Sequence, residues 1–303
     1  MDNIVRDPYI KYGFMNIPSG DLRLAITSEC NMRCTYCHAE GNSGTRMLSF
    51  NEIKYIICNS MQFGVRSISI TGGEPTMHPS LLDVATFVKC TYPKCELSIN
   101  TNGTNRSILQ TLASKGLVDR IVFGIDYFDR TVSKDSPIGS PSKTVFETIL
   151  LLKDQGSIVE VDSVFVDNYK DHSRIIKWCL DHSIHIKSLE IIDDEVSSSS
   201  SVAYCAMRES IISTFNLTRG KKLTTGDIYG VSENGTIVSF YRSLCRVRQC
   251  TYCSRMHLRI TSSGNTKPCL KSHMGEINLL EGDFYKNMMK CLTEIRGCSK
   301  NDI

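Results

Sequence analysis

Short apolar runs alternate with amphipathic stretches from about residue 20 to residue 192. Several of the short runs are almost continuously apolar, as expected for parallel strands that are buried on both faces. The stretches between them span about 10 to 15 residues and have a helical period, which indicates βα units. The predicted strands are Leu22–Ile26, Ser67–Ile70, Leu97–Ile99, Ile121–Ile125, Val159–Val166 and Ile186–Ile192.

The same pattern indicates where helices begin and end. Ser49 and Glu52 have the spacing of a capping box, so a helix is predicted to begin there. Gly116 and Gly156 follow apolar helical faces at positions where left-handed C-cap residues belong. Six such units form either an incomplete (β/α) barrel or an open doubly wound sheet, and periodicity does not separate these two α/β folds. Both place functional groups at the C-terminal ends of the strands.

The alternation stops after Ile192, where acidic residues lead into a serine run at 197–201. This composition is typical of a solvated linker. We therefore predict a barrel unit over residues 1–192, a linker over 193–222 and a small extension over 223–303. Seven of the 14 cysteines follow residue 192, which suggests that the extension is organised around metal.

Composition narrows the class of protein. With 41% hydrophobic and 22% charged residues, the chain of 303 residues is not a disordered protein. The formal net charge of +3 gives no basic surplus, which argues against nucleic acid as the main partner. The N-terminal residues lack the apolar segment of a secretion signal, and no apolar run is long enough to span a membrane. These features favour a cytoplasmic protein with no membrane partner.

Three cysteines follow the first predicted strand at short spacings. Cys30, Cys34 and Cys37 form the pattern C-x3-C-x2-C within eight residues. Three thiolates can bind three corners of a 4Fe-4S cube, which leaves one iron open to an external molecule. A zinc site with a further ligand and a set of free thiols remain as alternatives.

This segment resembles the radical S-adenosylmethionine (SAM) superfamily. The resemblance rests on CNMRCTYC, with Tyr36 before the last cysteine, and on the motif Gly72 to Pro75 after the second predicted strand. It implies that the open iron binds the amine and carboxylate of SAM, and that one electron cleaves SAM to methionine and a 5′-deoxyadenosyl radical. That radical abstracts a substrate hydrogen. The implied electron donor is a flavodoxin or ferredoxin.

The superfamily resemblance also implies a fold and a SAM pocket. The fold is a partial (β/α)6 TIM-like barrel with a C-terminal extension that binds iron and sulfur. From the residues themselves, two adjacent glycines allow the backbone to approach a ligand, and a glutamate can accept hydrogen bonds from an ammonium group. The residues expected to line the SAM pocket are Tyr36, Gly72, Gly73, Glu74 and Asn100.

A second cysteine group lies in the predicted extension. Cys250, Cys253 and Cys269 fall within twenty residues. A structural zinc site, with Cys245, His257 or His273 as the fourth ligand, is one interpretation. The segment is also similar to the auxiliary-cluster extension, or twitch domain, of the GTP 3′,8-cyclase family of molybdenum cofactor biosynthesis. That similarity implies a second 4Fe-4S cluster whose remaining iron binds the substrate.

The substrate contacts of that family are only partly retained. Arg23 and Arg259 match its basic positions, whereas Ser69 and Glu160 stand where basic residues are expected. We therefore expect a small polar substrate, with nucleosides and nucleotides among the candidates, rather than GTP. GTP cyclisation itself, maturation of a peptide and a zinc-binding regulatory protein are the alternatives. The expected substrate-side residues are Arg23, His257 and Arg259, with Asp126 as a SAM or substrate contact.

Overall fold

Six parallel strands in sequence order form the centre of the molecule. The computed structural model describes residues 17, 20–34, 36–37, 46–128, 143–166, 169–191, 198–220, 228–242, 257–268 and 275–297. Each strand pairs in parallel with the next, so the six predicted strands are confirmed to within a few residues at their ends. They are β1 Asp21–Ala25, β2 Ser67–Thr71, β3 Glu96–Thr101, β4 Arg120–Gly124, β5 Ile158–Phe165 and β6 His185–Glu190.

Helices connect these strands and bury the apolar outer face of the sheet. The helix after β1 begins at the predicted capping box, where the side chain of Glu52 accepts a hydrogen bond from the backbone of Ser49 at 2.7 Å. Gly116 and Gly156 have φ of +61° and +86°, as predicted for C-caps. The helices are α1 Phe50–Met61, α2 Leu81–Thr91, α3 Arg106–Ser114, α4 Lys143–Asp154 and α5 Tyr169–Asp181, with a 3-10 turn at Pro75–Met77.

The chain after residue 192 departs from the predicted linker. Helix α6, Ser198–Thr214, begins inside the serine run and occupies most of the stretch assigned to a linker. The reason lies further along the helix, where Tyr204, Met207 and Ile211 recur at helical spacing and are buried. The hydroxyl group of Tyr204 donates to the backbone carbonyl of Ser188 in β6 at 2.6 Å. Burial of these side chains outweighs the polar composition of the first turn.

The C-terminal strands extend the same sheet on both edges. They are β7 Thr218–Arg219, β8 Ile228–Val231, β9 Ile237–Tyr241 and β10 Leu258–Ile260. Strand β9 pairs in parallel with β6, and β10 pairs in parallel with β1. The sheet order is β10-β1-β2-β3-β4-β5-β6-β9-β8-β7, so among the described residues the barrel remains open. None of the helices in the described ranges has the length and apolar character of a membrane span. Helix α7, Phe284–Gly297, follows β10 in the chain.

A buried polar group lies behind β5 and β6. His172 of α5 is 1% exposed, and its two ring nitrogens lie 3.1 Å from Ser163 Oγ and 2.8 Å from Ser188 Oγ. Burial lowers the pKa of this imidazole to about 3. His172 is therefore neutral at neutral pH and is held in place by two hydroxyl groups.

Candidate active site

Cys30, Cys34 and Cys37 lie on residues 26–37, which follow the C-terminal end of β1 and are called the cysteine loop below. The Cys37 backbone N–H donates to the Cys34 carbonyl at 3.2 Å, and the Met32 N–H donates to Cys30 Sγ at 3.3 Å. Burial raises the pKa of Cys30, and burial followed by the charge of Asp126 raises that of Cys34 to about 12. Cys37 contributes to both shifts. The three thiols therefore lie within electrostatic range of one another.

The donor set suits a polynuclear cluster. Among the described residues, no three Cys, His, Asp or Glu side chains converge on one point as ligands of a single ion would. A four-iron cube binds each thiol at a different corner, so its ligands need not converge. Thiolates require a positive centre when they are crowded and partly buried. Three thiols on one loop are the type of ligand that such a cube requires, and their assignment to the cluster stays a prediction.

The two glycines after β2 pack directly against the cysteine loop. The Gly73 N–H donates to the Thr27 carbonyl, and the Glu74 N–H donates to the Glu29 carbonyl, both at 2.7 Å. A Cβ atom on Gly73 would lie 2.0 Å from the Glu29 oxygen, and one on Gly72, which has φ +144°, would lie 2.3 Å from the Thr27 oxygen. Only glycine permits this close approach of two backbones. The pair therefore fixes the residue before Cys30.

Glu74 is buried at 1% exposure and links β2 to β3. Its Oε1 accepts hydrogen bonds from the backbone N–H of Thr76 at 3.0 Å and from the hydroxyl groups of Thr76 and Thr101, both at 2.7 Å. Its Oε2 accepts from the Asn102 N–H at 2.7 Å. The carboxylate thus orders the two strand ends that border the expected SAM pocket. Its contact with an ammonium group remains a prediction.

Three further hydrogen bonds join the cysteine loop to the residues that follow β3 and β4. Asn102 Nδ2 donates to Asn31 Oδ1 at 2.8 Å, and Asn31 Nδ2 donates to Thr104 Oγ1 at 2.9 Å. The hydroxyl group of Tyr36 donates to Asp126 Oδ2, just beyond the end of β4. Tyr36 and Asp126 were predicted to lie at the site, and the structure brings them into contact. Asn100 lies nearby on β3, partly buried, and its side chain has no hydrogen bond in the described part of the chain.

Strands β4, β5 and β6 carry a row of paired charges, which we call the charge ladder. It consists of Arg120 on β4, Glu160 and Asp162 on β5 and Lys187 on β6. Lys187 Nζ lies 3.0 Å from Glu160 Oε2 and 3.6 Å from Asp162 Oδ1, and Arg120 Nη1 lies 3.2 Å from Glu160 Oε1. Of these four residues, only Glu160 was singled out from the sequence. Polar residues at every second position of an otherwise apolar strand were the available signal.

Arg23, His257 and Arg259 lie together across the β1–β10 pair. Arg23 and Arg259 are register partners. Burial, and then the positive charges of Arg259 and Arg23, lower the pKa of His257 to about 2, so its ring is neutral. Neither Arg23 Nε nor His257 Nε2 has a hydrogen-bond partner within the described ranges. These atoms are buried donors or acceptors that a ligand could satisfy.

The second cysteine group lies outside the described residues. This applies to Cys250, Cys253 and Cys269, and also to the alternative ligands Cys245 and His273. The described segment 257–268 turns at Gly264 and folds back, with Ile260 bridged to Thr266. It connects the two parts of the cysteine group and lies on the edge of β1.

A cysteine loop at the C-terminal edge of an open parallel barrel defines a class of enzymes that bind a cofactor between strand ends. The sequence profile of the Radical SAM superfamily matches residues 24–179, more than half of the 303-residue chain. The chain belongs to this superfamily and is a radical SAM enzyme. Membership implies a 4Fe-4S cluster and SAM, in agreement with the prediction from the first cysteine motif.

Sequence relatives carry a consistent name. A probable GTP 3′,8-cyclase of Methanococcus maripaludis strain S2 is 28% identical over 287 residues, which covers 90% of this chain and 94% of the relative. A GTP 3′,8-cyclase of Erythrobacter litoralis is 27% identical over 263 residues, 82% of this chain and 78% of the relative. The predicted resemblance to the cyclase family is thereby confirmed. The cyclase activity itself is a property of those relatives.

Solved structures confirm the fold. Streptococcus suis SuiB bound to S-adenosylmethionine has a TM-score of 0.67 at 16% identity, covering 92% of this chain and 67% of SuiB. Native anSMEcpe with bound AdoMet has a TM-score of 0.64 at 15% identity, covering 93% of this chain and 84% of that one. At these identities the likeness concerns architecture, which is the predicted α/β partial barrel.

Proposed function

We propose that this radical SAM enzyme abstracts hydrogen from a small polar substrate that carries one anionic group. The observation that carries the proposal is the distribution of charge inside the barrel. Arg120 and Lys187 already pair with Glu160 and Asp162. The Arg23 side chain lies within electrostatic range of Asp162, but in the described part of the chain it forms no side-chain hydrogen bond or ion pair. Arg23, the register partner of Arg259, is a cationic side chain suited to a carboxylate or a monophosphate.

The cofactor end of the site is assigned to the cysteine loop. In this proposal Cys30, Cys34 and Cys37 bind the first cluster, and Tyr36, Gly72, Gly73, Glu74 and Asn100 border SAM. When bound, the cluster and SAM supply the 5′-deoxyadenosyl radical. The role of the chain is to hold the loop at the ends of β2, β3 and β4 and to exclude water beneath it.

The proposal includes a second 4Fe-4S cluster held by Cys250, Cys253 and Cys269. Two observations support it. The intervening segment 257–268 lies on the edge of β1, and it carries His257 and Arg259 to the same place as Arg23. The curated relatives that match most of the chain are GTP 3′,8-cyclases. A cluster next to these side chains would hold the substrate within reach of the radical.

The charge ladder neutralises Glu160 within the protein. Glu160 stands where a basic residue is expected, but its negative charge is matched by Lys187 and Arg120. The ladder disfavours phosphates in another way, because these two cations are already paired with carboxylates of the protein. A triphosphate, with about four negative charges, requires several basic donors in a desolvated site. The described cations therefore favour a monoanion over GTP.

GTP 3′,8-cyclase activity is the second candidate, because relatives of that name cover almost the whole chain. The test is anaerobic incubation of reconstituted enzyme with SAM, a reductant and either GTP, GMP or guanosine. We expect GTP to give no more 5′-deoxyadenosine than a reaction without substrate. Turnover of GTP to a cyclised product would establish the cyclase instead. Replacing dithionite with a flavodoxin or a ferredoxin tests the proposed electron donors.

A further inference from the structure

Both carboxylate oxygens of Asp126 are engaged within the protein. Oδ2 accepts the hydroxyl hydrogen of Tyr36, and Oδ1 accepts the backbone N–H of Val164 in β5. The side chain therefore joins the cysteine loop to two neighbouring strands, β4 through its own position and β5 through Val164. This arrangement differs from the direct SAM or substrate contact that the sequence suggested.

The contact between Tyr36 and Asp126 lies in the second half of the cysteine loop, which carries two of the expected cluster ligands, Cys34 and Cys37. The attachments to β2 and β3 involve Thr27, Glu29 and Asn31, at the N-terminal half of the loop. Tyr36 stands between Cys34 and Cys37 in the sequence. In the described residues, its hydroxyl group is the side-chain contact that joins this second half of the loop to the barrel.

We propose that Asp126 is a positioning residue that acts through Tyr36 to fix the thiols of Cys34 and Cys37 on the first cluster. This inference rests on the assignment of those cysteines as cluster ligands. A carboxylate is suited to the task because it accepts two hydrogen bonds at once from donors on different elements. Loss of the contact would leave the second half of the loop without its anchor while the first half stays bound.

The test is a double-mutant cycle with Tyr36→Phe and Asp126→Ala. We measure iron content, the EPR spectrum of the reduced cluster with and without SAM, and the rate of reductive SAM cleavage. Tyr36→Phe is expected to change the spectrum and to slow cleavage roughly tenfold, the factor that loss of one hydrogen bond corresponds to. In the Asp126→Ala background, Tyr36→Phe should have no further effect, because its hydroxyl group no longer has an acceptor.

Asp126→Asn and Asp119→Asn complete the set. An asparagine at 126 can still accept from Val164 and can donate to the tyrosine oxygen, so it should restore most of the rate. Asp119 accepts the Leu97 N–H at 2.6 Å at the N-terminal end of β3, and its asparagine variant should leave the spectrum unchanged. It serves as the control for a purely structural loss.

Two results would overturn the positioning role. One is an equal effect of Tyr36→Phe in both backgrounds, which would mean that Asp126 acts independently of Tyr36. The other is a Tyr36→Phe enzyme with the wild-type spectrum and rate, a result that stands even if Asp126→Ala does not fold. Iron and sulfide analysis of the wild type checks the ligand assignment separately: a chain without a four-iron cluster would overturn that assignment as well.

Discussion

Replacing Gly73 with alanine should displace the cysteine loop. The new Cβ would lie 2.0 Å from the carbonyl oxygen of Glu29, whereas contacts under 3.0 Å are essentially never found for real Cβ atoms. The Glu29 carbonyl must therefore move by about 1 Å or more. It also loses its 2.7 Å hydrogen bond from the Glu74 N–H. Because Cys30 is the next residue, the first cluster ligand moves with it.

The expected loss of activity follows from that displacement. A misplacement of about 1 Å can cost roughly a hundredfold in rate when a reaction depends on near-attack geometry. We expect Gly73→Ala to slow reductive SAM cleavage by about this factor, measured as 5′-deoxyadenosine released by the dithionite-reduced, reconstituted enzyme. The barrel should still fold, since the affected contacts lie beyond the strand ends.

Gly124→Ala is the matched control. Gly124 also lies at the C-terminal end of a parallel strand, and a Cβ there would meet only the Thr101 oxygen at 3.9 Å, an ordinary contact. Neither Gly73 nor Gly124 has a positive φ, so the two substitutions differ in steric conflict alone. Equal rates for Gly73→Ala and the wild type would refute the reasoning, as would an equal loss in both variants.

The remaining predictions concern cofactor content and acid stability. Replacing Cys30, Cys34 and Cys37 together with alanine should remove one cluster and abolish SAM cleavage, with an unchanged circular dichroism spectrum; continued 5′-deoxyadenosine formation would exclude the proposed ligands. The wild type should contain about eight irons per chain, as two cubes require; four irons with one zinc would identify the second site as structural zinc. The pKa of His172 is lowered from 6.5 to about 3 in the fold, so the unfolded chain binds the extra proton between these values. The free energy of unfolding should therefore fall by about 1.4 kcal/mol for each pH unit below 6.5. Urea denaturation at pH 7 and 5.5 should show a smaller fall for His172→Gln, and an identical fall would contradict the assignment.

The sequence predicted the barrel better than the parts added to it. Buried parallel strands leave apolar runs, which is why Val159–Val166 was recognisable without knowledge of its neighbours. The serine run was misread as linker because a composition window does not register that Tyr204 and Ile211 are buried further along the same helix. Local polarity describes the first turn, and packing decides the helix.

In the candidate site, too, features set by neighbouring residues in the sequence could be predicted, whereas contacts between strands could not. The cysteine spacing is local, so the loop was found directly. The pairing of Lys187 with Glu160 joins residues on different strands, and a single strand gives no sign of it. The contact between Tyr36 and Asp126 spans 90 positions and likewise required the structure.

The pairing of β10 with β1 has a consequence for synthesis of the chain. Leu22 pairs with Leu258, so the outer edge of β1 has no strand partner until residue 258 has been synthesised. At ribosomal rates of about 5 to 20 residues per second, this interval lasts roughly 10 to 50 s. During that time the nascent chain presents an unpaired strand edge, the feature that promotes association between chains.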